Sequence, residues 1–297
     1  MIFEGVISAV VSPFDQEGAL LGDHLSDHVD WLLESGVAGI VGTGTMGEAG
    51  SLDPAERRDV IERLVAAAGD RCRVSAGVSA DTAERAAGYA RDAEQAGAAG
   101  VMCLPPLGYP ADPRELVAFY RTVGAATDLP LMLYNNPHAS GGTDLPAATI
   151  VALAREVDTV VGVKECSGDA RRIAEILQAT GGELEVLVGG DDWPLEGAAA
   201  GATGWVSVVV NVAPAETVAL WEHARAGELD PARDLYARLA PLARLDMTPK
   251  LVQFFKGAMD TVGRYGGPSR PPRLPLDDAD RAVLDAALAT LRTGAAA

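Results

Sequence analysis

An α/β fold closed into a (β/α)₈ TIM barrel, with a C-terminal helical extension, is what the sequence predicts, on three observations. Eight apolar, β-branched runs alternate with Ala-, Arg- and Glu-rich segments of 3.6-residue periodicity. The runs begin about every 30 residues, and eight such units fill roughly 225 residues, the length of such a barrel. No longer crossover interrupts the series, which separates it from a doubly wound open sheet, the other fold with alternating strands and helices.

The strand-like runs are Val6–Val11, Gly39–Gly42, Arg73–Val78, Gly100–Leu104, Leu131–Tyr134, Val160–Lys164, Glu185–Val188 and Gly204–Val208. Their near-continuous apolar character suits strands buried on both faces. Helical periodicity spans Gly22–Ser35, Pro54–Ala68, Thr82–Ala96, Pro113–Ala126, Ala147–Arg155, Ala170–Ala179 and Pro214–Ala226. Asp53-Pro54, Asp81 and Asp112-Pro113 read as amino-terminal caps, and Gly36, Gly97, Gly181 and Gly227 as carboxyl-terminal stops. From Asp230 only helices are expected: Pro231–Leu245, Pro249–Val262 and Asp277–Leu291, with the proline-broken loop Tyr265–Leu276 between the last two. Residues 1–227 are thus read as the barrel, and 228–297 as helices packed on it within the same structural unit.

The formal net charge of −18 argues against nucleic acid or an anionic membrane as partner. An anionic substrate must therefore meet positive potential built locally into its site. No apolar run is long enough to span a bilayer, and the amino terminus has no basic lead and carries Glu4, unlike a secretory signal. Cys72, Cys103 and Cys166 are odd in number and scattered, as reduced thiols of a cytoplasmic protein are. His24 and His28 stand four apart on a predicted helix but lack a third ligand, so no metal site is expected.

Lys164 is the residue most at odds with its surroundings. The chain has three lysines, Lys164, Lys250 and Lys256, against 21 arginines, and Lys164 ends a buried strand. A lysine there is costly unless neutral or paired. It is either an amine nucleophile, a Schiff-base former whose amine burial would deprotonate, or a strand-end lysine that snorkels or pairs with an acid.

In such barrels the chemistry sits at the carboxyl ends of the strands. Gly42-Thr-Gly-Thr-Met-Gly-Glu48 follows strand two, Tyr134-Asn-Asn-Pro137 ends strand five, Lys164 strand six, Gly189-Gly-Asp-Asp192 strand seven and Ser207 strand eight. Adjacent strands lie about 5 Å apart, so Tyr134 and Lys164 can meet as a proton-transfer pair. The glycines of Gly42–Gly47 match G-x-G-x-x-G, yet six residues intervene before Pro54 opens the next helix. Dinucleotide binding, a plain structural turn, and an amide nest for a carboxylate with the Thr45 hydroxyl as relay are the three readings; the nest is preferred. Glu48 caps its own turn or orients Thr45. Asp191 and Asp192 read as a helix cap rather than a cation site. His138 either selects substrate or is a solvated loop histidine.

Through Gly44-Thr-Met-Gly-Glu48, Tyr134-Asn-Asn-Pro137 and Gly162-Val-Lys-Glu165 the chain resembles the dihydrodipicolinate synthase/N-acetylneuraminate lyase family of class I aldolases. The similarity runs from Gly5 to the last helices. It implies an imine between Lys164 and C2 of pyruvate or another 2-oxo acid, with Tyr134 as proton shuttle. Thr45, with the amides of Thr45 and Met46, would hold the substrate carboxylate, and the Val206 carbonyl would lie near the Lys164 amine. Gly190, His138 and Ala139 complete the expected substrate contacts. No cofactor is expected, and the resemblance implies a homotetramer built from two tight dimers.

Three positions depart from the family pattern. Met46 replaces the second Thr of G-T-T-G-E; Ala139 stands where synthase members place an Arg for the second substrate's carboxylate; Leu107 stands where they place a relay tyrosine, with Tyr109 two positions on. The segment Arg270-Pro-Pro-Arg-Leu-Pro-Leu276 looks like the tail of catabolic members. The expected activity is therefore a catabolic Schiff-base lyase. The alternatives are the 4-hydroxy-tetrahydrodipicolinate synthase of lysine biosynthesis, a hydroxyproline-pathway pyrroline-carboxylate deaminase, and a nicotinamide-dependent dehydrogenase using Gly42–Gly47.

Overall fold

The computed structural model describes residues 2–292. Eight parallel strands close into a barrel in sequence order: β1 (Gly5–Ala9), β2 (Gly39–Gly42), β3 (Arg73–Gly77), β4 (Gly100–Cys103), β5 (Leu131–Asn135), β6 (Val160–Glu165), β7 (Glu185–Val188) and β8 (Gly204–Ser207). Each expected strand is present, with ends displaced by no more than two residues. The β5–β6 register sets Tyr134 directly beside Lys164.

Helices α1 (Asp23–Glu34), α2 (Pro54–Ala68), α3 (Ala83–Gln95), α4 (Pro113–Gly124), α5 (Ala147–Glu156), α6 (Arg171–Thr180), α7 (Pro194–Ala199) and α8 (Pro214–Ala226) surround the barrel. Asp53 and Asp112 each accept from the third helical N–H while Glu56 and Glu115 reach back, two complete capping boxes. Asp81 is not a cap; Thr82 takes that place and accepts from Arg85. Helix α7 has six residues, too few to show a period, and the sequence implied it only through the cap expected of Asp191 and Asp192. Its cap position is Trp193, with no side-chain cap, so the capping role expected of Asp191 and Asp192 is not realised.

Beyond the barrel come α9 (Leu229–Ala243), α10 (Leu251–Thr261) and α11 (Asp278–Arg292). Helix α9 packs on α8 and α11. A 3₁₀ turn over Arg244–Met247 joins α9 to α10 across the carboxyl ends of the strands. Among the described residues no helix is long and apolar enough to cross a membrane, and no cluster of three or more His, Cys, Asp or Glu is arranged to hold a metal. His24 stacks on Tyr265, and His28 bonds Asn211 through Nε2 at 2.8 Å.

Candidate active site

Strand alternation turns Lys164 and Cys166 to the same side of β6, and both line a cavity of about 400 Å³ at the barrel mouth. Lys164 is 4% exposed, and its Nζ sits 4.4 Å from the centre of the Tyr134 ring. Just past β7, Gly189 leaves space for the lysine stem: a Cβ there would stand 2.0 Å from Cys166 Sγ and 2.8 Å from Lys164 Cγ. Thr45, Met46, His138 and Ala139 line the same cavity. Gly190 and Val206 do not. Gly190 is turned toward the Trp193 indole, and the walls just past β7 and β8 are made by Gly189 and Val208.

The Gly42–Glu48 loop folds back on itself. Glu48 N–H donates to Thr45 O and Ala49 N–H to Gly44 O, while Ser12 Oγ donates to Gly47 O at 2.7 Å. Gly47 is wedged between Thr43 N and Val10 O, each 3.2 Å from where a Cβ would be. The loop therefore ends against the barrel rim and offers no helix amino terminus to a pyrophosphate, against the dinucleotide reading. Among the described residues the Glu48 side chain makes no cap hydrogen bond and none to Thr45. Its buried carboxylate meets Lys256 Nζ at 2.6 Å, accepts from the Arg270 N–H at 3.1 Å and faces Arg273 at 3.5 Å. Arg270 itself grips Glu56 with two guanidinium nitrogens and lies over Phe14. The Arg270–Leu276 tail thus pins the loop that carries Thr45.

Electrostatics at Lys164 run opposite to the sequence expectation. Burial pulls its amine down, but the acidic groups around it, Asp246 and Asp191 among them, outweigh burial and hold the ammonium above its ordinary range. Tyr134 is pushed up by burial, against the pull of Lys164, and its oxygen accepts from Asn136 Nδ2 at 3.1 Å. No hydrogen bond joins Tyr134 to Thr45 among the described residues. Burial also pushes the Cys166 thiol up to about 12.

Sequence reading missed Asp246, which the Arg244–Met247 turn carries into the cavity from outside the barrel. It is enclosed by protein yet open to the cavity, and no strand-end pattern announces it. Asp191 is buried and accepts from Trp205 Nε1 at 3.0 Å, Val208 N at 3.0 Å and Val209 N at 2.6 Å. Leu107 borders a neighbouring pocket that shares Thr45 and Tyr134 with the cavity, whereas Tyr109 is exposed and lines neither.

A model of the dihydrodipicolinate synthetase family matches residues 2–291. An uncharacterised DapA-like lyase of Halobacterium salinarum is 37% identical over 290 residues, 97% of this chain and 93% of its own. The 4-hydroxy-tetrahydrodipicolinate synthase of Methanosarcina mazei is 33% identical over 287 residues, 95% of this chain and 96% of its own. Among solved structures, the 4-hydroxy-tetrahydrodipicolinate synthase of Methylacidiphilum fumariolicum superimposes with a TM-score of 0.93 at 28% identity, covering 98% of this chain and 96% of its own. A putative dihydrodipicolinate synthetase of Pseudomonas aeruginosa gives 0.92 at 31%, covering 98% and 100%. With its closed barrel, its strand-end lysine and near-complete coverage on both sides, the chain is an enzyme of the dihydrodipicolinate synthetase family.

Proposed function

We propose that the protein is a Schiff-base lyase whose Lys164 amine condenses with C2 of pyruvate or another 2-oxo acid. The observation that carries this reading is the buried Lys164 amine, 4.4 Å from the Tyr134 ring centre at the wall of the barrel-mouth cavity. In the proposed reaction the protonated imine draws electrons from the substrate, so that a bond beta to C2 breaks or forms. Tyr134, a phenol kept protonated by burial, gives and takes the protons. The backbone N–H groups of Thr45 and Met46 hold the substrate carboxylate, with the Thr45 hydroxyl completing the relay. Met46, buried at 2% exposure, narrows that end of the cavity.

The finer reading is a catabolic member acting in the cytoplasm as a homotetramer. Ala139 offers only a methyl group to a second substrate's carboxylate, and the arginines nearest the site, Arg57, Arg85 and Arg273, line the neighbouring pocket that shares Thr45, Tyr134 and Ala139 instead. This disfavours the lysine-pathway synthase, the activity in the names of several relatives, and leaves the pyrroline-carboxylate deaminase as the second reading. Borohydride reduction in the presence of pyruvate, followed by peptide mass spectrometry, is the test. A reduced adduct on Lys164 is expected, and Lys164→Ala is expected to give none. Wild-type protein that traps no 2-oxo acid overturns the proposal. A panel of 2-oxo acids and cyclic imine carboxylates, read by the same trapping, separates the substrate classes.

A further inference from the structure

Imine formation needs Lys164 as the free amine, yet its surroundings favour the ammonium. Something in the cavity must take a proton. Tyr134 cannot, since burial holds its phenol protonated, and the Cys166 thiol is raised by the same cause. His138 is exposed on its loop. Among the described lining residues Asp246 is the one carboxylate.

We propose that Asp246 accepts the proton of the Lys164 ammonium and returns it when the imine forms, so that the helical extension supplies the base that arms a barrel lysine. The proposal rests on the Lys164 imine reading above. Its geometry comes from the turn between α9 and α10, which brings Asp246 to the wall that holds Lys164. The groups facing Asp246 are Lys164 from β6 and Asp191 and Asp192 from the end of β7; Tyr134 and Cys166 face it across the lysine. Asp191 decides where a shared proton resides. Its oxygens receive three N–H donors, which favour the carboxylate. Burial and the charge of Asp246 outweigh them and push Asp191 up to about 8, above Asp246. Asp191 is thus the better holder of a proton, and Asp246 the better-ionised base. Burial and the charge of Asp192 favour the protonated form of Asp246, while Lys164 and a backbone bond with Asp191 favour its ionised form. A group pulled both ways suits a proton that must move out and back.

The steps balance. Lys164 ammonium and Asp246 carboxylate become amine and carboxylic acid. The amine attacks C2, forming the C–N bond, and its proton passes to the former carbonyl oxygen. The C–O bond then breaks, Asp246 giving its proton to the departing hydroxyl as water. The products are a cationic imine and a carboxylate beside it.

The test compares wild type with Asp246→Asn by the initial rate of pyruvate trapping with cyanoborohydride, over roughly pH 5 to 9, the range in which general acid–base groups act. Wild type is expected to show an acid limb above the ordinary carboxylate range. Asp246→Asn is expected to lose that limb and to trap about a hundredfold more slowly at neutral pH. Asp246→Ala, with a methyl in place of the carboxyl, is expected to regain rate when formate is added, which a packing role would not produce. An Asp246→Asn protein with the wild-type limb overturns the inference, whatever its absolute rate, and so does Asp246→Ala indifferent to formate. Wild type that traps nothing at any pH overturns the Lys164 reading itself, and this inference with it.

Discussion

Replacing Lys256 with Met tests how the C-terminal segment supports the site. Lys256 and Glu48 are both shut off from solvent, with side chains 2% and 0% exposed. The ammonium approaches Glu48 Oε1 at 2.6 Å as a charge contact out of hydrogen-bond alignment, and it donates to Pro268 O at 2.8 Å. Methionine keeps the volume of the stem but leaves Glu48 as a buried, under-compensated charge. Breaking a buried pair from one side costs about 3–5 kcal/mol. The lower end, about 3 kcal/mol, applies here because the Arg270 N–H and the Arg273 guanidinium still face the carboxylate. Glu48 also sits at φ +52°, in the left-handed region that L side chains rarely adopt, so contacts must hold it there. Its N–H closes the turn onto Thr45 O, and loosening it shifts the proposed carboxylate nest. The assay is urea denaturation with 2-oxo acid kinetics on the same preparations. The expected results are the stability loss above and KM raised about tenfold with a smaller change in kcat. The double variant Glu48→Gln/Lys256→Met is expected to recover part of the loss, because the orphaned charge is gone. A single variant as stable as wild type, or a double variant no better than the single, refutes the reasoning.

Three further outcomes are expected. Tyr134→Phe keeps the ring beside Lys164 but removes the proton, so kcat falls about 10²–10⁴-fold while the trapped adduct on Lys164 persists; unchanged turnover contradicts the shuttle role. Burial, against its bond to Asn211, holds His28 down at about 4 from an ordinary 6.5, a depressed folded value. Its contribution of about 3 kcal/mol is therefore present above pH 6.5 and lost as pH falls toward 4, and His28→Gln should flatten the urea midpoint against pH in that window relative to wild type. A fragment ending at Gly227 is expected to bind a hydrophobic dye and fail to unfold cooperatively, because α8 buries Leu220 and Trp221 and packs against α9, which would be missing; a cooperative, dye-free fragment contradicts the proposal that barrel and extension are one unit.

The barrel could be read in the sequence because each strand is a two-face-buried apolar run and most helices are long enough to show a period. Helix α7 was hidden by its length, and the Asp191 carboxylate, expected at its start, faces Trp205 and the backbone after β8 instead. Lys164 and Tyr134 were legible because strand order and register place them side by side with no further information. The direction of the Lys164 shift was not. Burial alone pointed downward, and the opposing groups, Asp191 and Asp246, reach the lysine only through tertiary packing, one of them from a turn more than eighty residues away in the chain. Glu48 was placed in the right loop and given the wrong partner, since Lys256 and Arg270 lie in segments whose patterning says only that they are helix and loop.

The pinning of Glu48 also has a meaning in time. All eight strands are present once the chain has been made as far as Ser207, and a barrel can begin to close on a nascent chain. The groups that seat the Thr45 loop, the Lys256 and Arg273 charges and the Arg270 backbone N–H, come later in the chain, and Asp246 arrives between them and the last strand. A growing polypeptide therefore acquires its scaffold, with Tyr134 and Lys164 on it, before the groups that seat the Thr45 loop. The last contacts on Glu48 are completed only as synthesis nears its end, so a half-made barrel carries the Thr45 loop without the contacts that hold it.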